Sequence, residues 1–205
     1  MLYRQTISEE LLEILSVLMT IEEFKTLRLV GGTSLVALQI GHRNSIDIDL
    51  FGKLEIDDIE LSVLLSKNFD KVEKLTQSNS IKIQLINNIK VDIVNYPYLW
   101  LDNALLEDQI RLASLKDIAA MRVSAITNRG SKKDFIDLYF LLDTYSLSEI
   151  IDFNKEKYPD SNPYLAMKSI GFYDDADLQP MPVMYNSVSW FEIKNKISER
   201  LREII

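Results

Sequence analysis

The chain has 205 residues, 47% of them hydrophobic and 26% charged, a composition that excludes fibrous and disordered proteins. It has no cysteine and one histidine, His42, which excludes disulfides, thiolate zinc sites and sites built from several histidines. The net charge of −8 argues against general adhesion to nucleic acid, and no stretch has the ~18 apolar residues of a membrane span. We expect a cytoplasmic protein with no membrane partner.

The first half of the chain mixes helix and strand patterns. Helical periodicity predicts a helix over 6–27, begun by Thr6 and Glu9 at capping-box spacing. The patterns that follow predict a strand over 27–30, a turn at Gly31-Gly32, a short helix over 33–40, a polar loop over 41–45, a strand over 46–51 and a helix over 56–66. Two runs, 80–86 and 89–94, flank Asn87-Asn88 and predict a hairpin.

The second half is predicted to be mainly helical. Ser114 and Asp117 begin a helix to about 127, Ser131 and Asp134 begin another to about 142, and a final helix starts near Trp190. The sequence therefore predicts an α+β protein. We expect an α+β core over 1–105 with a mixed sheet and flanking helices, followed by a helical region over 106–205 that packs on the core.

The alternating segment that contains Asp47 and Asp49 carries the first candidate site residues. Residues two apart in a strand point to the same face, so these two carboxylates lie side by side. Such a pair needs a counter-charge, which a divalent cation can supply, and Mg²⁺ takes one or two protein carboxylates plus substrate phosphates. Asp92, in the alternating run 89–94, is the natural third carboxylate for a two-ion site. The alternative is an amphipathic strand with a solvated acidic face.

The Gly31-Gly32-Thr33-Ser34 turn precedes those carboxylates. Glycines between a strand and a helix let the backbone approach a ligand, and the helix start offers unpaired N–H groups to a phosphate. Thr33 or Ser34 adds a hydroxyl donor, and Ser45 shares the face of Asp47. The sequence thus contains the parts of a site for a nucleoside triphosphate with magnesium, although helix capping alone also explains the turn.

A basic window interrupts the acidic chain. Residues 111–133 hold six basic residues and one acidic residue, so a polyanion could bind there, or the charges could be solvated helix faces. Lys132 and Lys133 lie at a helix start, where positive charge opposes the helix dipole, so an anionic ligand would explain them. Asp134 could cap that helix, and Asp137 could pair with an Arg or Lys. For His42, anchoring of its loop competes with a contact to phosphate.

Two blocks of sequence together resemble one protein family. The first combines Gly31-Gly32-Thr33-Ser34-Leu35 with Gly41-His42-Arg43 and Ser45-x-Asp47-Ile48-Asp49-Leu50-Phe51; the second combines Asp117-Ile118-Ala119-Ala120-Met121-Arg122 with Arg129-Gly130-Ser131-Lys132-Lys133-Asp134-Phe135-Ile136-Asp137-Leu138-Tyr139. In this order they resemble the AbiEii/AbiGii toxin family of nucleotidyltransferases, which belongs to the DNA polymerase β-like superfamily. The resemblance implies a polymerase β-like core.

The resemblance also implies roles for individual residues. Asp47 and Asp49 would bind two Mg²⁺ ions, Asp92 would complete the site or act as the base, and Asp134 would be a further active-site carboxylate. The nucleotide would be held by eight residues: Gly31, Gly32, Thr33, Ser34, Arg43, Ser45, Arg122 and Lys133. Arg122 stands where the family usually has lysine, which keeps the charge and changes the donor geometry.

The implied function is that of a magnesium-dependent toxin. It would transfer NMP from an NTP to an acceptor hydroxyl, with the 3′ end of tRNA as the expected acceptor and a cognate antitoxin as partner. Two alternatives stay open at this point. The acceptor could be a side chain of the antitoxin or of another protein, or the chain could be a binding module that holds a nucleotide or antitoxin without turnover.

Overall fold

The computed structural model describes residues 7–35, 40–78 and 80–204. The chain divides into two compact units. The first unit comprises the described parts of Met1–Gln39, Ser45–Pro97 and Ala104–Ala113. The second comprises Ile40–Asn44, Tyr98–Asn103 and the described part of Ser114–Ile205.

A mixed sheet forms the centre of the first unit. Its strands are β1 (Arg28–Leu29), β2 (Ile48–Gly52), β3 (Val72–Gln77), β4 (Ile81–Ile86), β5 (Ile89–Asn95), β6 (Leu105–Glu107) and β7 (Ile110–Leu112). Among the described residues the spatial order is β3-β4-β5-β2-β1-β7-β6. The pairs β2–β5 and β1–β7 are parallel, and the other neighbours are antiparallel. The predicted mixed sheet is confirmed.

One face of this sheet is buried in a hydrophobic core. The helices of the unit are α1 (Glu9–Thr20), α2 (Gly31–Leu35) and α3 (Asp58–Asn68). Strands β2 and β5 contribute alternate side chains to the core, namely Ile48, Leu50, Val91 and Ile93, all fully buried. Burying such a side chain stabilises a fold by about 1.5–3 kcal/mol. The residues between them therefore face away from the core.

The first helix is shorter than predicted. Thr6, the predicted cap, lies outside the described residues, and the Ser8 hydroxyl instead accepts a hydrogen bond from the Leu11 N–H at 3.2 Å. The helix ends because Ile21 adopts an extended conformation, after which Glu22–Phe24 form one 3-10 turn. Apolar periodicity continues across this break, so periodicity alone overestimates the length of the helix.

The residues in a hairpin turn determine whether the sequence predicts that hairpin. Asn87 and Asn88 have φ values of 48° and 68°, and a two-residue type I′ turn requires positive φ at both positions. The predicted β4–β5 hairpin is confirmed. Asp108 and Gln109 have nearly the same φ values and join β6 to β7. Glutamine is not a typical residue for a left-handed position, and the sequence did not predict this hairpin. Strand β3 was missed as well.

The second unit is helical, as predicted for the C-terminal region. Its helices are α4 (Leu115–Asn128), α5 (Lys132–Leu141), α6 (Leu147–Lys157), α7 (Pro163–Ile170), α8 (Asp174–Asp177) and α9 (Trp190–Arg202). The predicted caps Ser114 and Ser131 begin α4 and α5. Helices α6, α7 and α8 were not predicted. Within the described ranges, no helix combines the length and apolar character needed to cross a membrane.

The two units do not divide at the predicted boundary. That boundary, between residues 105 and 106, falls within the first strand of the β6–β7 hairpin, which belongs to the first unit. The reason is the parallel pairing of Leu29 with Leu112, which adds the hairpin to the sheet beside β1.

Candidate active site

Two of the predicted carboxylates lie side by side on the sheet. Asp49 of β2 and Asp92 of β5 are register partners in the parallel pair. Neighbouring strands are about 4.8 Å apart, so the two side chains leave adjacent points of the same face. Both residues are half-buried, whereas their neighbours Ile48 and Ile93 are fully buried on the opposite face. The structure therefore brings Asp49 and Asp92 together outside the core.

The glycine turn passes directly over Asp49. Gly31 has a φ of +68°, and a Cβ atom placed on it would lie 3.0 Å from Asp49 Cγ and nearer still to Oδ2. The Val30 N–H donates to the Asp49 carbonyl at 2.9 Å, which fixes the turn beside β2. Gly31 and Gly32 are both half-buried. Only a glycine fits this conformation beside the carboxylate.

Asp92 has one engaged oxygen and one orphaned oxygen. Lys90, two residues earlier on β5, places its ammonium 2.5 Å from Asp92 Oδ2. Asp92 Oδ1 is buried and has no hydrogen-bond partner in the part of the chain that the structure describes. A buried carboxylate oxygen without a partner is costly, so a cation or a hydrogen-bond donor at that position would be stabilised.

The carboxylates suit magnesium in its usual protein mode. Within 7–35, 40–78 and 80–204, no group of three or more His, Asp or Glu side chains is close enough to hold a metal ion. The predicted set of Asp47, Asp49 and Asp92 therefore forms no three-ligand cluster here. Mg²⁺ usually takes one or two protein carboxylates and completes its shell with water and substrate phosphates. The pair Asp49 and Asp92, with the orphaned Oδ1, fits that mode.

The hydroxyl groups predicted to hold phosphate are engaged within the protein. Thr33 is fully buried, and its hydroxyl donates to the backbone carbonyl of Asp47. That hydroxyl also lies 2.8 Å from Ser45 Oγ. Because the single Thr33 proton goes to Asp47, Ser45 is the donor in this second bond. Ser34 is fully buried too. In this arrangement Thr33 and Ser45 fix the backbone that carries Asp47.

In the second unit, Asp134 is surrounded by basic groups. It is fully buried and accepts from Arg122, from Arg129 at 2.9 Å and from Ser131 at 2.6 Å. Burial raises the pKa of Asp134, but Arg129, Arg122 and Ser131 outweigh burial and hold the pKa below its ordinary value. Its carboxylate also closes the capping box of α5, as the capping alternative predicted.

Asp137, one helical turn later, anchors the loop at 40–44. Arg43 binds both of its oxygens, with Nε to Oδ1 at 2.8 Å and Nη2 to Oδ2 at 2.9 Å. His42 Nε2 lies 2.7 Å from Oδ1, and Arg122 Nη2 lies 2.8 Å from Oδ2. Burial raises the pKa of Asp137, but Arg122, Arg43 and His42 hold it far below its ordinary range. Asp137 thus pairs with arginines, which is one of the roles that the sequence left open for it. His42 anchors its loop to Asp137, which is the alternative to a contact with phosphate.

Most of the basic window is engaged inside the protein. Arg111 donates to three backbone carbonyls, those of Leu27, Phe24 and Met19. Lys132 is buried, donates to the Gln179 carbonyl and lies 5.0 Å from the Trp190 ring centroid. An anionic ligand is therefore not needed to explain Lys132. Lys133 is exposed, and Arg129 is exposed for 65% of its side chain.

Sequence reasoning missed Lys90. Its spacing of two residues from Asp92 in an alternating strand was the available signal, because that spacing puts both side chains on one face. Alternation in this run predicts the face of Asp92, and it places Lys90 on that same face.

Comparison with known proteins identifies the family of this chain and solved structures with a similar fold. Residues 13–162 match the family model described as nucleotidyl transferase AbiEii toxin, type IV toxin–antitoxin system. An uncharacterised protein from Aquifex aeolicus is 33% identical over 189 residues, which cover 86% of this chain and 87% of the relative.

Solved structures share the fold at low sequence identity. JHP933 from Helicobacter pylori has a TM-score of 0.61 at 19% identity, covering 97% of this chain and 93% of that one. MenT4, a nucleotidyltransferase toxin from Mycobacterium tuberculosis, has a TM-score of 0.58 at 15% identity, covering 95% and 83%. The α+β fold is therefore one that nucleotidyltransferases use. The family match covers well over half of the chain, which belongs to the AbiEii nucleotidyl transferase toxin family and is a nucleotidyl-transferring enzyme.

Proposed function

We propose that this enzyme is magnesium-dependent and transfers NMP from an NTP to an acceptor hydroxyl, with the 3′ end of tRNA as the acceptor. The observation that carries the reaction is the pairing of Asp49 with Asp92 beneath Gly31. The family match supports the toxin class and an antitoxin partner. The choice of tRNA rests on the family resemblance alone.

The residues of the first unit have different roles in binding the metal and the nucleotide. Asp49 and Asp92 supply carboxylate oxygens for the metal, and Thr33 and Ser45 hold the backbone of Asp47, two residues before Asp49. Gly31 and Gly32 keep the space over Asp49 free of side chains, so that a triphosphate can approach the carboxylates. The arrangement binds the charged end of a nucleotide and leaves its base to other residues.

The reaction is an in-line displacement at the α-phosphorus. The acceptor oxygen forms a bond to the α-phosphorus. The bond between that phosphorus and the oxygen that bridges it to the β-phosphorus breaks, and pyrophosphate leaves. The proton of the acceptor hydroxyl passes to a carboxylate of the site. Bound magnesium would neutralise charge on the phosphates and favour the ionised acceptor. The protein residues hold the metal ligands in register and orient the triphosphate.

In the second unit we propose positioning roles for three of the predicted residues. Buried Arg43 pairs with Asp137, and buried Arg122 pairs with both Asp134 and Asp137. Those contacts hold the loop 40–44 and the start of α5. Lys133 is exposed, so its ammonium can meet the phosphates of a nucleotide or of RNA.

A labelling assay tests the proposal. The wild-type chain is incubated with each of the four α-³²P-labelled NTPs, Mg²⁺, bulk tRNA and total cell protein, and each pool is counted separately. Asp49→Asn is compared with Asp70→Asn, a matched change at an exposed aspartate between α3 and β3. We expect labelled tRNA with wild type and Asp70→Asn, and a loss of more than about 100-fold with Asp49→Asn.

The distribution of label between tRNA and protein shows which part of the proposal fails. Label in protein instead of tRNA would reject the RNA acceptor and keep the transfer reaction. Label that survives both Asp49→Asn and the removal of divalent cations would reject the metal-dependent scheme. A protein that binds NTP without labelling either pool would be a binding module.

A further inference from the structure

Lys90 contacts the same carboxylate that would hold a metal ion, through the oxygen next to the orphaned Oδ1 of Asp92. Its ammonium is 2.5 Å from Asp92 Oδ2, and the two side chains share one face of β5. We propose that Lys90 is a built-in counter-cation, which occupies Asp92 in the metal-free enzyme and is displaced when a divalent cation binds. The inference rests on the proposed metal site at Asp49 and Asp92.

The charges around Asp92 support this role. Across β4, the register partners of Lys90 and Asp92 are Leu85 and Ile83, which carry no charge. On its other side Asp92 has Asp49 as partner, a second negative charge. A nearby cation stabilises two carboxylates that lie side by side, and Lys90 is in contact with one of them. Lys90 therefore supplies a counter-charge at Asp92 in place of a metal ion.

The geometry makes the two cations competitors. A metal ion on Asp92 would meet the ammonium within a few ångströms on the same carboxylate, and like charges at that distance repel. Lys90 is 39% exposed and the Asp92 side chain 19%, so the lysine head can leave toward solvent while the carboxylate stays in place. Metal binding then costs the free energy of the Lys90–Asp92 pair, and removing the lysine should tighten metal binding.

Metal binding without nucleotide measures this directly. Mn²⁺ is titrated into the full chain, and the free ion is followed by its electron paramagnetic resonance signal, so no turnover is needed. The variants are Lys90→Met, which keeps the length of the side chain without its charge, Lys90→Arg, which keeps the charge, and Asp92→Asn, which damages the metal site. Lys90→Gln replaces Lys90→Met if thermal melting shows that the latter fails to fold.

We expect Lys90→Met to lower the Mn²⁺ dissociation constant about fivefold, since partly exposed ion pairs of this kind are weak. Lys90→Arg should stay near wild type and Asp92→Asn should bind more weakly. If Asp92→Asn weakens binding while Lys90→Met leaves it unchanged or weaker, the counter-cation role of Lys90 is rejected and the metal site stands. If Asp92→Asn binds like wild type, the proposed metal site itself is rejected.

Discussion

Gly31 lies so close to Asp49 that no other residue fits at position 31. A Cβ atom there would collide with the Asp49 carboxylate, and the backbone has a φ of +68°. The glycine therefore combines two requirements, a left-handed conformation and open space beside a candidate metal ligand.

The first prediction is that Gly31→Ala abolishes nucleotidyl transfer. The new methyl group would displace Asp49 or the turn, and the unfavourable φ alone should lower the free energy of unfolding by about 1–3 kcal/mol. Transfer per folded molecule, with folded protein quantified by urea unfolding, is the measurement.

Gly130→Ala is the matched control. Gly130 also has a positive φ, +52°, but a Cβ atom there would meet only the Ile126 carbonyl at 3.4 Å and the edge of Phe135. It should lose stability and keep transfer per folded molecule. Equal activity in the two variants would mean that the space beside Asp49 does not matter for the reaction.

The second prediction concerns acid stability. Asp137 has a folded-state pKa far below its unfolded value near 3.9. Its stabilising contribution is thus complete above the unfolded pKa and declines as the pH falls below it, because the unfolded chain then binds the proton more readily.

Asp137→Asn tests this pH dependence. The variant removes the buried negative charge that pairs with Arg43 and Arg122, although Arg122 keeps Asp134, so at pH 7 its unfolding free energy should be lower by about 3–5 kcal/mol. The difference from wild type should shrink below about pH 4. Urea unfolding at pH 7, 4.5 and 3 measures both effects, with Asp70→Asn as control. A difference that stays constant with pH would contradict the ionised state of Asp137.

The elements with strong local signals were predictable from the sequence. Asn87-Asn88 marks its hairpin because asparagine tolerates positive φ, and Ser114 and Ser131 mark helix starts through their hydroxyl caps. Alternation predicted that Asp47 and Asp49 share a face and offered Asp92, from a second alternating run, as the third carboxylate. In the structure Asp49 and Asp92 are register partners.

The features that the sequence did not predict depend on contacts between residues that are far apart in the chain. Strand β7 exists because Leu112 pairs with Leu29, 83 positions earlier in the chain, and no local pattern records that pairing. Thr33 was expected to face a phosphate, but its hydroxyl is bonded to Asp47, 14 residues away. A sequence shows which side chains can donate or accept, and the fold decides which partner each one meets.

The third prediction concerns a buried ion pair of the second unit. Lys157 and Asp117 have fully buried side chains 2.7 Å apart, and Lys157 also donates to the Leu99 carbonyl and lies over the Trp100 ring. Lys157→Met should lower the unfolding free energy by about 3–5 kcal/mol, since it leaves Asp117 charged and buried without its partner.

A double variant separates the pair from general packing. Adding Asp117→Asn to Lys157→Met removes the uncompensated charge and should recover part of the loss, whereas exposed Lys155→Met should cost little. Urea unfolding of wild type, Lys157→Met, Asp117→Asn and the double variant measures the coupling, with Lys155→Met as the control. Additive effects of the two single changes would show that the ion pair is not what holds these residues.

The fourth prediction decides between two roles for Thr33. Thr33→Val removes the hydroxyl that binds the Asp47 carbonyl and accepts from Ser45, while Thr33→Ser keeps it. Leaving those buried groups without a partner should lower the unfolding free energy by about 1–3 kcal/mol. Because the backbone that leads from Asp47 into Asp49 is then less well fixed, kcat for nucleotidyl transfer should fall about tenfold in Thr33→Val at constant KM for the NTP. A phosphate ligand would behave in the opposite way, with a raised KM and an unchanged kcat, and that result would restore the role that the sequence alone predicts. Thr33→Ser should match wild type in both parameters, since a serine hydroxyl can make the same two hydrogen bonds.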